Sequence, residues 1–144
     1  MERVELPATV ESIEAFRSLV AGVATTRGIT GIPQGMLLMA LEELLTNIVY
    51  YAYPPDAPGV IAVEIDPGDR DLVMRVRDRG APFDMTQKPE PDLSLGVDDR
   101  PVGGLGVFLV RKVMEEVRYE RLGDENVLHL HFRPKAADGE HTAP

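Results

Sequence analysis

Glu43 and Asn47 stand four residues apart in LEELLTNIVYYAY (41–53), so a helix would set a carboxylate and an amide side by side, one turn apart. An amide oxygen is a hard ligand of the kind Mg²⁺ accepts, and a carboxylate beside it can take a proton from a hydroxyl nucleophile. Together they are equipment for phosphoryl transfer. Glu42, Glu43, Thr46 and Asn47 fall in one arc of roughly 140°, which further along the helix holds Met36, Met39, Ala40 and Tyr50. A solvated face would stay polar along its length, so part of this patch is expected to look into a cavity. The competing reading is a short solvated window near a helix end.

Two further stretches carry chemistry. Asp78 closes the apolar run DLVMRVRD and is followed by Arg79-Gly80. A carboxylate there could accept a hydrogen bond from the exocyclic amine of adenine, with Gly80 letting a planar base approach the backbone; Asp and Gly also make a plain turn. In VGGLGVFLV (102–110), Gly103, Gly104 and Gly106 lead into a helix whose N-terminal N–H groups could hold phosphate oxygens. The same glycines could be a flexible lead-in. A dinucleotide fingerprint is disfavoured, because a proline-bearing loop precedes the glycines and the third glycine is missing. A P-loop is excluded by the absence of Gly-Lys-Ser/Thr.

The elements that must position these groups follow from periodicity. RVELP (2–6) reads as a short edge strand, and Ile13, Phe16, Leu19, Val20 and Val23 recur at helical spacing up to a stop at Gly28. A second helix is expected from about Gln34 to Tyr53, ended by Pro54-Pro55. VIAVEID (60–66) and DLVMRVRD (71–78) flank Pro67-Gly68-Asp69 as a hairpin, and RYERLG and NVLHLHFR form a second one around Gly123-Asp124. Between them, residues 79–104 carry prolines at 82, 89, 91 and 101, a loop long enough to be functional or disordered. A helix is expected over 104–117, with Phe108, Leu109, Val113 and Val117 inward. These elements imply an α+β fold: a two-layer sandwich with helices on one face of a mixed, mostly antiparallel sheet. The long loop between a strand and a helix is a place for a ligand.

At 144 residues and 44% hydrophobic content the chain suits one domain, expected over 1–134, with a small, polar, disordered tail over 135–144. A net charge of −9 with scattered basic residues argues against direct nucleic-acid binding. Without cysteine there is no disulfide or thiolate chemistry. No run approaches membrane-spanning length and the N-terminus has no apolar signal core, so a cytoplasmic protein is expected.

An acid and an Asn on a helix, then Asp-x-Gly after a strand, then a Gly-rich helix start: in this order the chain resembles the GHKL (Bergerat-type) ATPases, the superfamily of gyrase, MutL and histidine kinase catalytic domains. EELLTN matches the N box, DRGAPFD the first glycine box and GGLGVFLVRKVMEEV the second. Within the superfamily, residues 4–133 look most like the anti-sigma factor serine kinases of bacterial partner-switching systems. The resemblance implies ATP and Mg²⁺ as cofactors, with Asn47 as the Mg²⁺ ligand and Glu43 as the general base. It implies Asp78 and Gly80 at the adenine, and Gly103, Gly104, Leu105 and Gly106 at the phosphates. The loop from about Pro82 to Val102 would be a mobile lid, Arg100 a phosphate contact and Arg79 a solvated turn residue. It also implies a serine-bearing anti-anti-sigma (STAS-type) protein as substrate, a sigma factor or related regulator as a sequestered partner, and a homodimer.

One departure stands out: His129 falls where many members of the family carry a Thr that supports the adenine site. With His131 it could mimic a metal pair, but no third ligand is near in sequence, so both are expected to be partly exposed strand residues. Alternatives are a nucleotide-sensing module without phosphotransfer, or a switch kinase that activates a phosphatase. A histidine kinase fragment is poorly supported, since no His lies in the N-terminal helices.

Overall fold

Alternation of period two decides which face of a strand is covered, and here it is clearest in the strand that carries Asp78. Leu72, Met74, Val76 and Asp78 are buried, while Val73, Arg75 and Arg77 between them are only half-buried on the opposite face. In the computed structural model, which describes residues 1–54, 56–87 and 104–134, that strand is the middle of a five-stranded sheet. The elements in chain order are β1 (Glu2–Pro7), α1 (Val10–Thr26), α2 (Gly31–Tyr51), β2 (Val60–Ile65), β3 (Leu72–Asp78), a 3-10 turn at Met85–Gln87, α3 (Gly104–Val113), β4 (Glu116–Leu122) and β5 (Glu125–Phe132).

The strand order is β1-β2-β3-β5-β4. Every pairing is antiparallel, so the parallel component expected of a mixed sheet does not occur among the described residues. Both hairpins form where the turn residues forecast them. Gly123, at φ 61, supplies the left-handed residue that a two-residue connection needs. α2 lies between α1 and α3 on one face of the sheet. Leu37, Leu41, Leu44 and Leu45 of α2 meet Phe16 and Val20 of α1, together with Ile61, Val63, Met74 and Leu130 of the sheet, in one core cluster.

Helix boundaries differ from the periodicity reading in three places. α2 begins at Gly31, ahead of Pro33, because a proline in the first turn removes only an N–H that has no intrahelical partner. It ends at Tyr51, two residues short of the expected Tyr53. α3 stops at Val113 rather than at 117: the Glu115 N–H donates to the His131 carbonyl at 2.7 Å, and strand pairing with β5 takes over from Glu116. Consequently Val107 and Val110 are buried in α3, whereas the expected Phe108, Leu109 and Val113 are part-buried and Val117 packs from a strand. Lys112 lies 5.2 Å from the Phe108 ring centroid, which suits a ring near the rim.

The opposite face of the sheet is open and charged. Glu64 accepts from Arg75 Nε at 2.9 Å and Arg77 Nε at 3.0 Å, and pairs with Arg3 as well. Burial alone would raise the Glu64 carboxyl, but hydrogen bonds from Arg75, Arg77 and Arg3 outweigh it and hold the group down at about 2. The expected lid falls outside the described residues from residue 88 onward, as does the tail from 135.

Candidate functional site

α2 separates its four central polar residues by depth. Glu42 is exposed, while Glu43, Thr46 and Asn47 are half-buried. Asn47 lines a pocket with Leu44, Ile48, Tyr51 and Ala52 of the same helix end; across it stand Val76 and Asp78 of β3, Phe83 and Met85 of the following loop, Tyr119 of β4, and Asn126 and Leu128 of β5. The pocket encloses about 460 Å³ of empty space, part of it open to solvent. It is an apolar slot with a carboxylate at one end and an amide on its wall, the composition expected of a small-molecule site.

Asp78 sits at the closed end, 6% exposed. Its Oδ1 accepts from the Gly80 N–H at 2.9 Å and from Asn126 Nδ2 at 2.9 Å. Gly80 is required by the protein itself, since a Cβ there would collide with the Ala52 carbonyl and stand 2.7 Å from the Ala52 methyl. Tyr53 fastens the same corner: its hydroxyl donates to the Val60 carbonyl at 2.8 Å and accepts from the Arg79 N–H at 2.6 Å. Half-buried there, the Tyr53 phenol is held above its usual range by partial desolvation.

Glu43 lies one turn before Asn47 and faces α3. A Cβ on Gly106 would overlap the Glu43 carboxylate and lie 3.2 Å from Cδ, so the bare backbone of Gly106 is what lets α2 bring this acid against the start of α3. Gly104 and Leu105 form the first turn of the same helix. The geometry thus brings Glu43, Asn47, Asp78, Gly80 and the α3 N-terminus to one side of the sheet. Arg100 and Gly103 lie outside the described residues.

His131 and His129 are partly exposed strand residues, as expected, and the pocket is not lined by His129. β5 turns it to the open face, where its Nε2 lies 3.0 Å from Glu120 Oε2, and His131 on the same face meets Asp71 Oδ2 at 2.7 Å. The β5 residue on Asp78's side, directly opposite it in register, is Asn126. Period-two counting gives which β5 residues share a face, but not which face; that depends on the β3–β5 pairing, which is non-local. Tyr119 is placed by the equally non-local β4–β5 pairing, and Phe83 and Met85 reach the pocket from the loop after β3, where no periodicity marks them.

A sandwich with an acid and an amide on its central helix, Asp-x-Gly at a strand end and a glycine-rich helix start beside them is an ATP-binding domain of the histidine kinase-like class. The family model for the histidine kinase-like ATPase domain matches residues 6–132, and the chain belongs to that family. It is 34% identical over 122 residues to the serine-protein kinase RsbW of Bacillus subtilis, covering 81% of this chain and 76% of that one. It is 33% identical over 102 residues to the serine/threonine-protein kinase BtrW of Bordetella bronchiseptica, covering 69% and 72%. Among solved structures, the RsbU and RsbW domains of a Mycobacterium tuberculosis protein superpose with a TM-score of 0.56 at 16% identity over 92% of this chain. This chain spans 32% of that one. The histidine kinase domain of a blue-light-activated kinase from Erythrobacter litoralis gives a TM-score of 0.51 at 17% identity, covering 84% of this chain and 60% of that one. Both likenesses are of fold.

Proposed function

We propose that this protein is an ATP- and Mg²⁺-dependent serine kinase of the partner-switching kind, which phosphorylates a serine of an anti-anti-sigma (STAS-type) protein and, as a homodimer, sequesters a sigma factor or related regulator. The carrying observation is the placement of Glu43 against the first turn of α3, one helical turn from Asn47 at the pocket. The names of the relatives, serine-protein kinases RsbW and BtrW, support the same reading.

In this reading Asp78 accepts from the adenine amine at the closed end of the slot. The N–H groups at the start of α3 (Gly104, Leu105 and Gly106) bind phosphate oxygens with the help of the helix dipole. Among the described residues no cluster of three carboxylates or imidazoles stands ready to hold a metal. Asn47, whose amide makes no hydrogen bond among the described residues, offers one oxygen. That donor set fits Mg²⁺, which is commonly held by one or two protein groups, substrate phosphates and water. Bound there, Mg²⁺ would neutralise phosphate charge. Glu43 takes the proton from the serine hydroxyl as that oxygen attacks the γ-phosphorus and the bond to the bridging oxygen breaks, releasing ADP; the rest of the rate enhancement is positioning.

The test is transfer of labelled γ-phosphate from ATP and Mg²⁺ to a panel of STAS-type proteins. Asn47→Ala is expected to lose Mg²⁺-ATP binding. A STAS partner that binds the ATP-loaded protein yet never acquires label would leave a nucleotide-sensing module and exclude the kinase.

A further inference from the structure

We propose that Asn126 is the positioning residue that sets base selectivity, by holding the Asp78 carboxylate with one oxygen spent inside the protein and the other offered to the pocket. The inference rests on the pocket being a nucleotide pocket, and deepens that reading.

Asn126 is 6% exposed and its side chain makes five hydrogen bonds. Its Nδ2 donates to Asp78 Oδ1 and to the Ala81 carbonyl, each at 2.9 Å. Its Oδ1 accepts from the Tyr119 hydroxyl at 2.6 Å, from Arg121 Nη1 at 3.2 Å and from the Phe83 N–H at 3.3 Å. This environment fixes the orientation of the amide. Reversed, it would set an oxygen against a carboxylate and a carbonyl, and an NH₂ group against three donors.

Both amide hydrogens and the Tyr119 hydrogen are therefore consumed within the protein. Asp78 Oδ1 is filled by Gly80 and Asn126, whereas no hydrogen bond reaches Oδ2 among the described residues. Around Asp78 the described residues thus present an acceptor and, from Asn126 and Tyr119, no free side-chain donor. A 6-amino purine donates to Oδ2; a 6-oxo purine would set carbonyl lone pairs against a carboxylate. Sites built to pair one polar group reject the analogue lacking it far more strongly than apolar pockets do. Arg121 extends the device, since its Nη1 also donates to the Gly80 carbonyl at 2.9 Å and braces the turn that carries Asp78.

The experiment measures binding of ATP and of inosine triphosphate to the full chain, to Asn126→Asp and to Tyr119→Phe, with thermal melts to identify the folded variants. The parent should prefer ATP. Asn126→Asp keeps the side-chain shape but exchanges a donor for a second carboxylate, and should lose at least about tenfold in ATP affinity and most of the preference. Tyr119→Phe keeps the ring lining the pocket and should lose a smaller part of the preference. A merely structural role would lower the melting temperature and leave the ratio of the two affinities unchanged. If whichever variant folds retains the parent's ratio, the proposal is overturned. A parent that binds neither nucleotide overturns the nucleotide reading itself, which is a separate and recognisable failure.

Discussion

Glu43 and Gly106 form a contact in which one residue's reach depends on the other's lack of a side chain. Replacing the acid by its amide isostere, Glu43→Gln, should leave ATP affinity within a few-fold of the parent and lower phosphotransfer by about 10²–10⁴-fold, the usual contribution of a general base. Single-turnover transfer and nucleotide titration separate the two effects. Gly106→Ala forces the flexible Glu43 carboxylate aside, so it should impair transfer while leaving stability, read from urea unfolding, within about 1 kcal/mol of the parent. The sequence made Glu43, Asn47 and Asp78 legible because each stands beside a local signal: helical spacing for the first two, a strand end followed by glycine for the third. Asn126 had no such signal, as nothing in NVLHLHF says which residue will lie opposite Asp78. Only the cross-strand register makes Asn126, rather than His129, the neighbour of that carboxylate.

Elements with their own punctuation were the legible ones. Gly28, at φ 79, ends α1 in a paired cap: its N–H donates to the Thr25 carbonyl at 3.0 Å, and the Ile29 N–H donates to the Ala24 carbonyl at 2.8 Å. Gly28→Ala would place a Cβ in the left-handed region and should cost about 1 kcal/mol, a fall of about 2–4 °C in melting temperature. The two hairpins were equally clear from Pro67-Gly68-Asp69 and Gly123-Asp124. α3 was not, because FLVRKVMEEV satisfies both helical and strand patterns. Its crossing from helix to strand is decided by β5, which is distant in sequence and captures the chain at Glu115.

For the molecule as a whole, the open face of the sheet sets the response to acid. Glu64 in the folded protein sits at about 2, below its ordinary value of 4.5, through its arginine partners. A depressed carboxyl contributes stability that is complete above the unfolded value and is lost as pH falls toward the folded one. Unfolding free energy should therefore hold steady down to about pH 5 and then drop by on the order of 2–3 kcal/mol toward pH 2 on this group's account. In Glu64→Gln that portion of the acid sensitivity should be absent, and the protein should already be less stable at pH 7, with Arg75 and Arg77 left facing each other. Urea unfolding at a series of pH values checks both.

The strand order has a consequence for the chain as it is made. Asp78 is synthesised well before the amide that holds it, which belongs to β5, the last strand among the described residues, and β5 must insert between β3 and β4 before the pocket floor exists. A nascent chain halted after the first hairpin has its acid and its helix but nothing to orient them. Competence to hold a nucleotide is thus acquired only once β5 has emerged and paired, and loss of that strand would abolish it even though every residue of EELLTN and DRG remained.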